Sequence, residues 1–429
     1  MNCYNRSSDL RFGRHKGILA FYAHNAKLSR ALEAAWMLDK FTVKDFKSLA
    51  DIELQLGQIN VFVGANGSGK SNLLEAIGIL GAAASGRVND ETLKHRGVRP
   101  GLPALYKSSF KNNPPAMHIR LEAEGLTSKY GVTLLNPIKR PTPEWEYRHE
   151  QLTRGNDKIV GRSPRSMQQL NMSAGLAALK VVELVPNDPA AKLMDLLRNY
   201  AIYSPDTPTL RGLEPDPQAR EPVGLAGGRL PEGVLGLTKS RQPVAVEDYA
   251  MEIGSLVDWL QRFGVTYTSR LPISESVPQP VRGLRFVDKY MGKGRDVLSG
   301  YDASEGVLYL FFCTVLALHP KSPRLFAIDN FDQALNPRTA RDFTVMFCRW
   351  LLEKGDRQAL LTTHNPLVLD GLPLSDPRVR LFAVDRSKRG HTVIEQIEIN
   401  ALVLKSAQKG IPLSQQWVMG HFGGVPSSV

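Results

Sequence analysis

An α/β fold with a buried, mostly parallel sheet flanked by helices is what this chain predicts, on three observations. Short apolar runs, Val61-Phe-Val63, Leu325-Phe-Ala-Ile328 and Ala359-Leu-Leu361, have strand length and no polar face, as expected of strands covered on both sides. Helical patterns over 72–84, 304–318 and 337–354 follow or separate them, the alternation that packs helices on a parallel sheet. Residues 38–63 and 118–153 instead alternate apolar and polar positions, which predicts an antiparallel β portion toward the N-terminal side.

The 429 residues allow two or three domain-sized units, or one domain with a large insertion, and 42% hydrophobic content supplies a proper core. No run approaches the ~18 apolar residues of a transmembrane helix. Three cysteines (Cys3, Cys313 and Cys348) without CxxC spacing exclude a zinc-ribbon or disulfide framework, and the cytosol is the expected compartment. Lys and Arg outnumber Asp and Glu by 54 to 42, a formal charge of +12. That balance suits a polyanion partner, DNA or RNA, but the charges are scattered, as a solvated basic face would also have them.

Taken in order, residues 1–36 mix Arg, Ser, His and aromatics without a steady period and lack the apolar core of a secretory signal. They are expected to be a disordered or mis-assigned leader. From Met37 the pattern is strand, turn, strand, strand, then helix over 72–84. Residues 87–115 read as loops, 118–124 and 130–135 as a hairpin around Gly125-Leu-Thr-Ser128, 145–153 as a further strand, and 154–165 as a polar mobile loop. Between 187 and 297 helical patterns over 190–200 and 248–263 sit in Pro- and Gly-rich sequence, an expected insertion of small helices and loops without coiled-coil heptads. Strand–helix alternation then returns, with strands over 379–384 and 391–399 and a short helix after them. The expected units are thus 1–36, an N-terminal lobe 37–186, the insertion 187–297 and a C-terminal lobe 298–429.

The stretch carrying chemistry is Gly64-Ala-Asn66-Gly67-Ser68-Gly69-Lys70-Ser71-Asn72. Gly64 to Ser71 satisfies G-x-x-x-x-G-K-[ST] in full, between a strand and a helix. Glycines let successive N–H groups converge on phosphate oxygens while the helix N-terminus adds its dipole. Lys70 is expected to neutralise the β- and γ-phosphates of a nucleoside triphosphate, and the Ser71 hydroxyl to ligate Mg²⁺. A second Mg²⁺ anchor belongs at the end of a neighbouring strand. Four apolar residues ending in Asp329 fit that place.

With these motifs stand Ser304-Glu305-Gly306 at a helix start, Leu335-Asn336-Pro337, and Thr362-Thr-His364-Asn365-Pro366. Together they resemble the ABC-type ATPases of the RecF/SMC-like group that includes the overcoming-lysogenization-defect proteins, over about 40–120 and 295–429. The tail Leu413-Ser-Gln-Gln-Trp417 to Pro426 is similar to the end of stand-alone bacterial ATPases of this kind. The resemblance implies an ATPase head with a mixed, largely parallel core, ATP and Mg²⁺ as ligands, Ser304 and Gly306 as signature residues, and His364 as the switch histidine. It also implies a homodimer with ATP sandwiched between facing heads, and Ser304 is placed to cap its own helix as well. No Q-loop can be assigned.

The chain departs from the group at Asn330, where Glu usually follows the Mg²⁺-anchoring Asp. An amide orients water but does not accept its proton, so hydrolysis is expected to be slow unless Asp332 or Glu305 substitutes. The expected function is an ATP-gated dimerising switch in DNA repair or anti-phage defence, acting with a nearby effector protein or nucleic acid. The alternatives are a self-contained nuclease, which needs a D-x-D pair absent after His364, and a transporter ATPase.

Overall fold

The computed structural model describes residues 37–111, 113–162, 171–238, 249, 252–278, 280–398 and 411–421. The expected leader 1–36 and the tail residues 422–426 lie outside the described residues. The core sheet is built from β3 (Ile59–Val63), β8 (Ala201–Tyr203), β12 (Leu325–Ile328), β13 (Gln358–Thr363), β14 (Val379–Arg386) and β15 (Thr392–Gln396), in the order β15-β14-β3-β13-β12-β8. Five of these strands are parallel, and β15 returns antiparallel along β14. Strands β3, β12 and β13 are buried along their whole length, which explains their unbroken apolar runs.

Their side chains divide by the two-residue period of a strand. Ile59, Val61, Phe326 and Leu361 face one core with α3 (Glu305–Leu318) and α4 (Pro337–Lys354). Phe62, Ala327 and Leu360 face a second core shared with α1 (Lys70–Ala84), α2 (Pro189–Asn199) and the antiparallel sheet. That sheet comprises β1 (Lys40–Phe46), β2 (Leu49–Gln55), β4 (His118–Gly125), β5 (Ser128–Leu135), β6 (Glu146–Arg154) and β7 (Asp157–Arg162), in the order β2-β1-β4-β5-β6-β7. Gln358 ties the sheets together: its amide nitrogen donates to the Leu38 carbonyl and its oxygen accepts from the Leu38 N–H, each at 2.8 Å. A third sheet, β9 (Leu260–Tyr267), β10 (Arg282–Asp288) and β11 (Val297–Ser299), packs Phe263 and Phe286 onto Phe311 of α3.

Helix ends follow local chemistry. Asn336 caps α4 by accepting from the Thr339 N–H, Pro337 fills the first helical position, and Gly355 closes the helix in the left-handed region.

Four expectations change. Residues 154–162 are no mobile loop: β6 runs through Arg154 and turns into β7, whose polar outward positions hid a strand that buries Val160 and Arg162. The expected helix over 248–263 is helical at 249 and over 252–256 among its described residues, and Leu260 begins β9 because Phe263 and Val265 pair with Phe286 and Leu284. The span 187–297 therefore holds more than helices and loops: it supplies β8 to the core sheet and β9 and β10 to the third sheet. Short helices at Asp90–Lys94 and Pro103–Tyr106 interrupt the 87–115 loops.

Candidate nucleotide-binding site

β3 delivers the chain into the loop Gly64–Gly69, and α1 leaves it. Gly69 is the N-cap of α1 with φ 113°, a conformation open to glycine and strained for other residues. Lys70 folds back over the loop, donating to the carbonyls of Gly64 at 2.7 Å and Ala65 at 2.9 Å. Burial pushes its pKa down, while the carboxylates of Asp329 and Asp332 push it up, which places both acids in reach of the lysine charge. Asn66 and Gly67 are exposed, whereas Ser68 is buried with a hydroxyl that has no hydrogen-bond partner.

The expected metal pair comes together. Ser71 Oγ donates to Asp329 Oδ2 at 2.8 Å across a separation of 258 residues. Thr362 Oγ1 donates to the other carboxylate oxygen at 2.5 Å, and the Asp329 N–H is held by the Tyr203 carbonyl of β8. Adjoining hard oxygens from a hydroxyl and a carboxylate are the donor set that suits Mg²⁺. With the orphaned Ser68 hydroxyl and the glycine-rich loop above them, these residues fit a Mg²⁺-bound triphosphate.

The segment after Asp329 is wired to the end of β13. Asn330 has φ 59°, its N–H donates to Thr362 Oγ1 at 2.9 Å, and its carbonyl accepts from the Tyr309 hydroxyl. Asp332, 8% exposed, accepts from Thr363 Oγ1 at 2.7 Å and lies 3.8 Å from His364 Nε2. His364 is itself exposed. Sequence reasoning named Thr362 and Thr363 only as neighbours of His364, yet they hold both acids.

Ser304 occupies the N-cap position of α3, exposed, and its side chain makes no capping bond. Gly306 lies under the next loop, where a Cβ would come within 2.8 Å of the Ala334 carbonyl oxygen. The 304–306 segment and the 334–337 loop are thus packed together. Glu305 stands in the first turn of the same helix.

A second set of contacts had no motif to betray it. The Thr392 hydroxyl of β15 lies 2.8 Å from the Ser68 carbonyl oxygen and 2.7 Å from the Ser48 hydroxyl. Asn72 donates to Ser48 Oγ at 2.8 Å, and Arg386 donates to the Gly67 carbonyl at 3.1 Å. The β14–β15 hairpin and the β1–β2 turn therefore brace the phosphate loop from outside. Within α1, the carboxylate of Glu75, 2% exposed, pairs with Lys47 and with Arg99, the latter at 2.7 Å.

A family model described as an AAA ATPase domain matches residues 37–115. One described as an AAA domain, putative AbiEii toxin, type IV TA system, matches residues 237–370. The DNA replication and repair protein RecF of Paenarthrobacter aurescens (strain TC1) is 34% identical over 105 residues, 24% of this chain and 26% of that protein. RecF of Magnetococcus marinus is 49% identical over 51 residues, 12% of this chain and 13% of its own. The DNA double-strand break repair Rad50 ATPase of Saccharolobus solfataricus is 37% identical over 76 residues, 18% of this chain and 9% of that one. The matched stretch thus spans 26% or less of the length of these relatives. Among solved structures, the SMC head bound to the C-winged helix domain of ScpA overlays with a TM-score of 0.49 at 12% identity, covering 86% of this chain and 99% of that one. For the SMC head domain from Thermotoga maritima the values are 0.43 and 16%, over 84% and 99%. The complete phosphate loop, its pairing with Asp329, the two matching AAA family models and the RecF and Rad50 relatives support a RecF/SMC-like ABC-type ATPase.

Proposed function

We propose that the chain is an ATP-gated switch in which two copies close over ATP, the phosphate loop of each facing the signature helix of the other. The observation that carries this reading is the uncapped, exposed Ser304. Its helix N-terminus offers anion-binding amides to something outside its own chain. The neighbouring 334–337 loop lies on the same surface and suits a partner head. In this reading Lys70 leaves the Gly64 and Ala65 carbonyls for the β- and γ-phosphates, and Ser71 and Asp329 hold the Mg²⁺ that shields the phosphate charge.

Hydrolysis is slow in this reading. The attacking water must lose a proton, and the Asn330 amide cannot take it. Asp332, held by Thr363 and set beside His364, is the acid the fold offers instead, with Glu305 of the facing copy as the other choice. A long-lived closed dimer then signals rather than drives motion. The names of the relatives, repair proteins and a toxin-system ATPase domain, support a role in DNA repair or anti-phage defence with an effector partner, in the cytoplasm.

The self-contained nuclease finds less support. Asp216 accepts from the Gln218, Ala226 and Gly228 N–H groups, Asp370 holds Ser414, and Asp376 holds Arg378, so each of these acids serves its local fold. No described helix is long and apolar enough to cross a membrane.

The test measures fluorescent-ATP binding and phosphate release by wild type, Lys70→Ala and Asp332→Asn. The reading expects Lys70→Ala to lose ATP binding. It expects wild-type turnover well below the enzyme median of roughly 10 s⁻¹. It expects Asp332→Asn to fall about 10²-fold further, the usual worth of a positioned base. Unchanged ATP binding in Lys70→Ala contradicts the site.

A further inference from the structure

The segment after β8 brings a cation to the start of α3. β8 ends at Tyr203, whose carbonyl holds the Asp329 N–H. The chain then makes one helical turn, Thr207–Leu210, which Asp206 caps by accepting the Thr209 N–H. Leu210 is buried in the core, and Gly212 turns the chain away at φ 76°. Arg211, held between them, sends its side chain to α3: Nη2 donates to the Ala303 carbonyl at 3.3 Å, across 92 residues. That carbonyl belongs to the peptide whose N–H is that of Ser304, so the guanidinium stands at the N-cap of α3.

A guanidinium has five N–H donors. Arg96, Arg162, Arg198, Arg220 and Arg357, buried or half-buried as Arg211 is, each donate to two or more protein acceptors. Arg211 makes one long bond, its Nε is buried without a partner, and it forms no ion pair among the described residues. The acids beside it are on the segment it touches. Asp302 is exposed, Glu305 stands in the first turn of α3, and residues 298–308 contain no Lys or Arg. A surface of that kind repels a triphosphate unless a cation reaches it from elsewhere in the fold.

We infer that Arg211 is a phosphate contact made between copies: its guanidinium, held at the Ala303 carbonyl, meets the γ-phosphate seated in the phosphate loop of the facing copy. Mg²⁺ and Lys70 leave part of the triphosphate charge unanswered, and a planar fork of donors matches phosphate oxygens. An arginine reaching a γ-phosphate across an interface stabilises its charge in other phosphoryl-transfer proteins. ADP lacks that phosphate, so the contact makes closure depend on ATP. A cap on the Ala303 carbonyl alone needs a neutral donor, not a cation with most of its N–H groups unspent. The inference rests on the closed-dimer reading and adds to it the residue that senses the third phosphate.

The experiment is sedimentation velocity of the full chain with Mg·ATP, with Mg·ADP and without nucleotide, on wild type, Arg211→Gln and Arg211→Lys. Circular dichroism monitors each fold. Fluorescent-ATP binding, at protein concentrations too low for association, reads the chain's own phosphate loop. Arg211→Gln should bind ATP as wild type does, yet associate more weakly in Mg·ATP by about tenfold for each of the two contacts of a two-fold dimer. Arg211→Lys, a cation without the fork, should fall between the two, and it carries the test if Arg211→Gln does not fold. A second arm asks which copy the arginine serves. Fluorescently labelled Arg211→Gln is titrated in Mg·ATP with Lys70→Ala, which lacks the ATP contact but presents Arg211, and with Lys70→Ala/Arg211→Gln, which lacks both. The first should capture the labelled copy about tenfold more tightly than the second. A wild type that stays monomeric in Mg·ATP overturns the closed-dimer reading and this inference with it. If wild type closes, four results overturn this inference alone. They are association of the folded Arg211 variant equal to wild type, loss of ATP binding by the single chain, equal capture by the two titrants, and an equal weakening without nucleotide, as contact with a carboxylate of the facing copy would give.

Discussion

The Thr392 side chain fills the space a side chain on Gly69 would need: an ideal Cβ there falls 2.1 Å from Thr392 Oγ1. Gly69 also has φ 113°, so Gly69→Ala meets a steric and a backbone penalty together. The variant should lose about 1–3 kcal/mol from backbone strain alone, read by urea unfolding, and should bind fluorescent ATP weakly. Thr392→Val keeps the volume but leaves the Ser68 carbonyl and the Ser48 hydroxyl without their shared partner. Its expected cost is about 1–3 kcal/mol, with weaker ATP binding from a loosened loop.

Asn330 carries two expectations that pull apart. Its left-handed φ of 59° is one that Asn tolerates and Glu does not favour, so Asn330→Glu should destabilise the fold by about 1–2 kcal/mol. If the missing base limits hydrolysis, the same change should raise turnover by about 10²–10⁴-fold. Asn330→Gly separates the effects, holding stability while leaving hydrolysis slow. A fast wild type that Asn330→Glu leaves unchanged would put the base elsewhere.

His319 gives a pH signature away from the site. Burial first, then the charges of Lys321 and Arg357, push its pKa from 6.5 to about 4. Its Nδ1 accepts the Lys321 N–H at 3.1 Å, a bond that a neutral ring can make. The unfolded chain binds the proton more readily than the native one between these values, so stability should fall as pH drops from 6.5 to about 4. His319→Gln should flatten that part of the stability profile. Urea midpoints across the range supply the measurement.

The glycine-rich loop and the Asp329 that meets Ser71 beside it were readable because both are local signals: a glycine pattern in the first case, an apolar run ending in an acid in the second. The helix over 337–354 was equally readable, since Asn336, Pro337 and Gly355 punctuate it. What stayed hidden depends on distant pairing. Thr392, Arg386 and Ser48 reach the phosphate loop only because β15 folds back on β14 and β1 turns beside α1, and no local pattern encodes that approach. β8 escaped notice as three residues whose strand character comes from lying beside β12. β9 looked helical until its alternate residues met Phe286 and Leu284. β7 is a polar edge strand, and polar edges read as loops.

The central claim is that ATP closes two copies through Ser304, and sedimentation velocity with and without Mg·ATP tests it most directly. Ser304 is exposed at the start of α3, so Ser304→Arg should leave the fold and the phosphate loop intact while blocking closure. Wild type should shift from monomer to dimer when Mg·ATP is added, and Ser304→Arg should bind ATP yet stay monomeric. If both proteins sediment alike in Mg·ATP, whether as monomer or as dimer, the claim is contradicted.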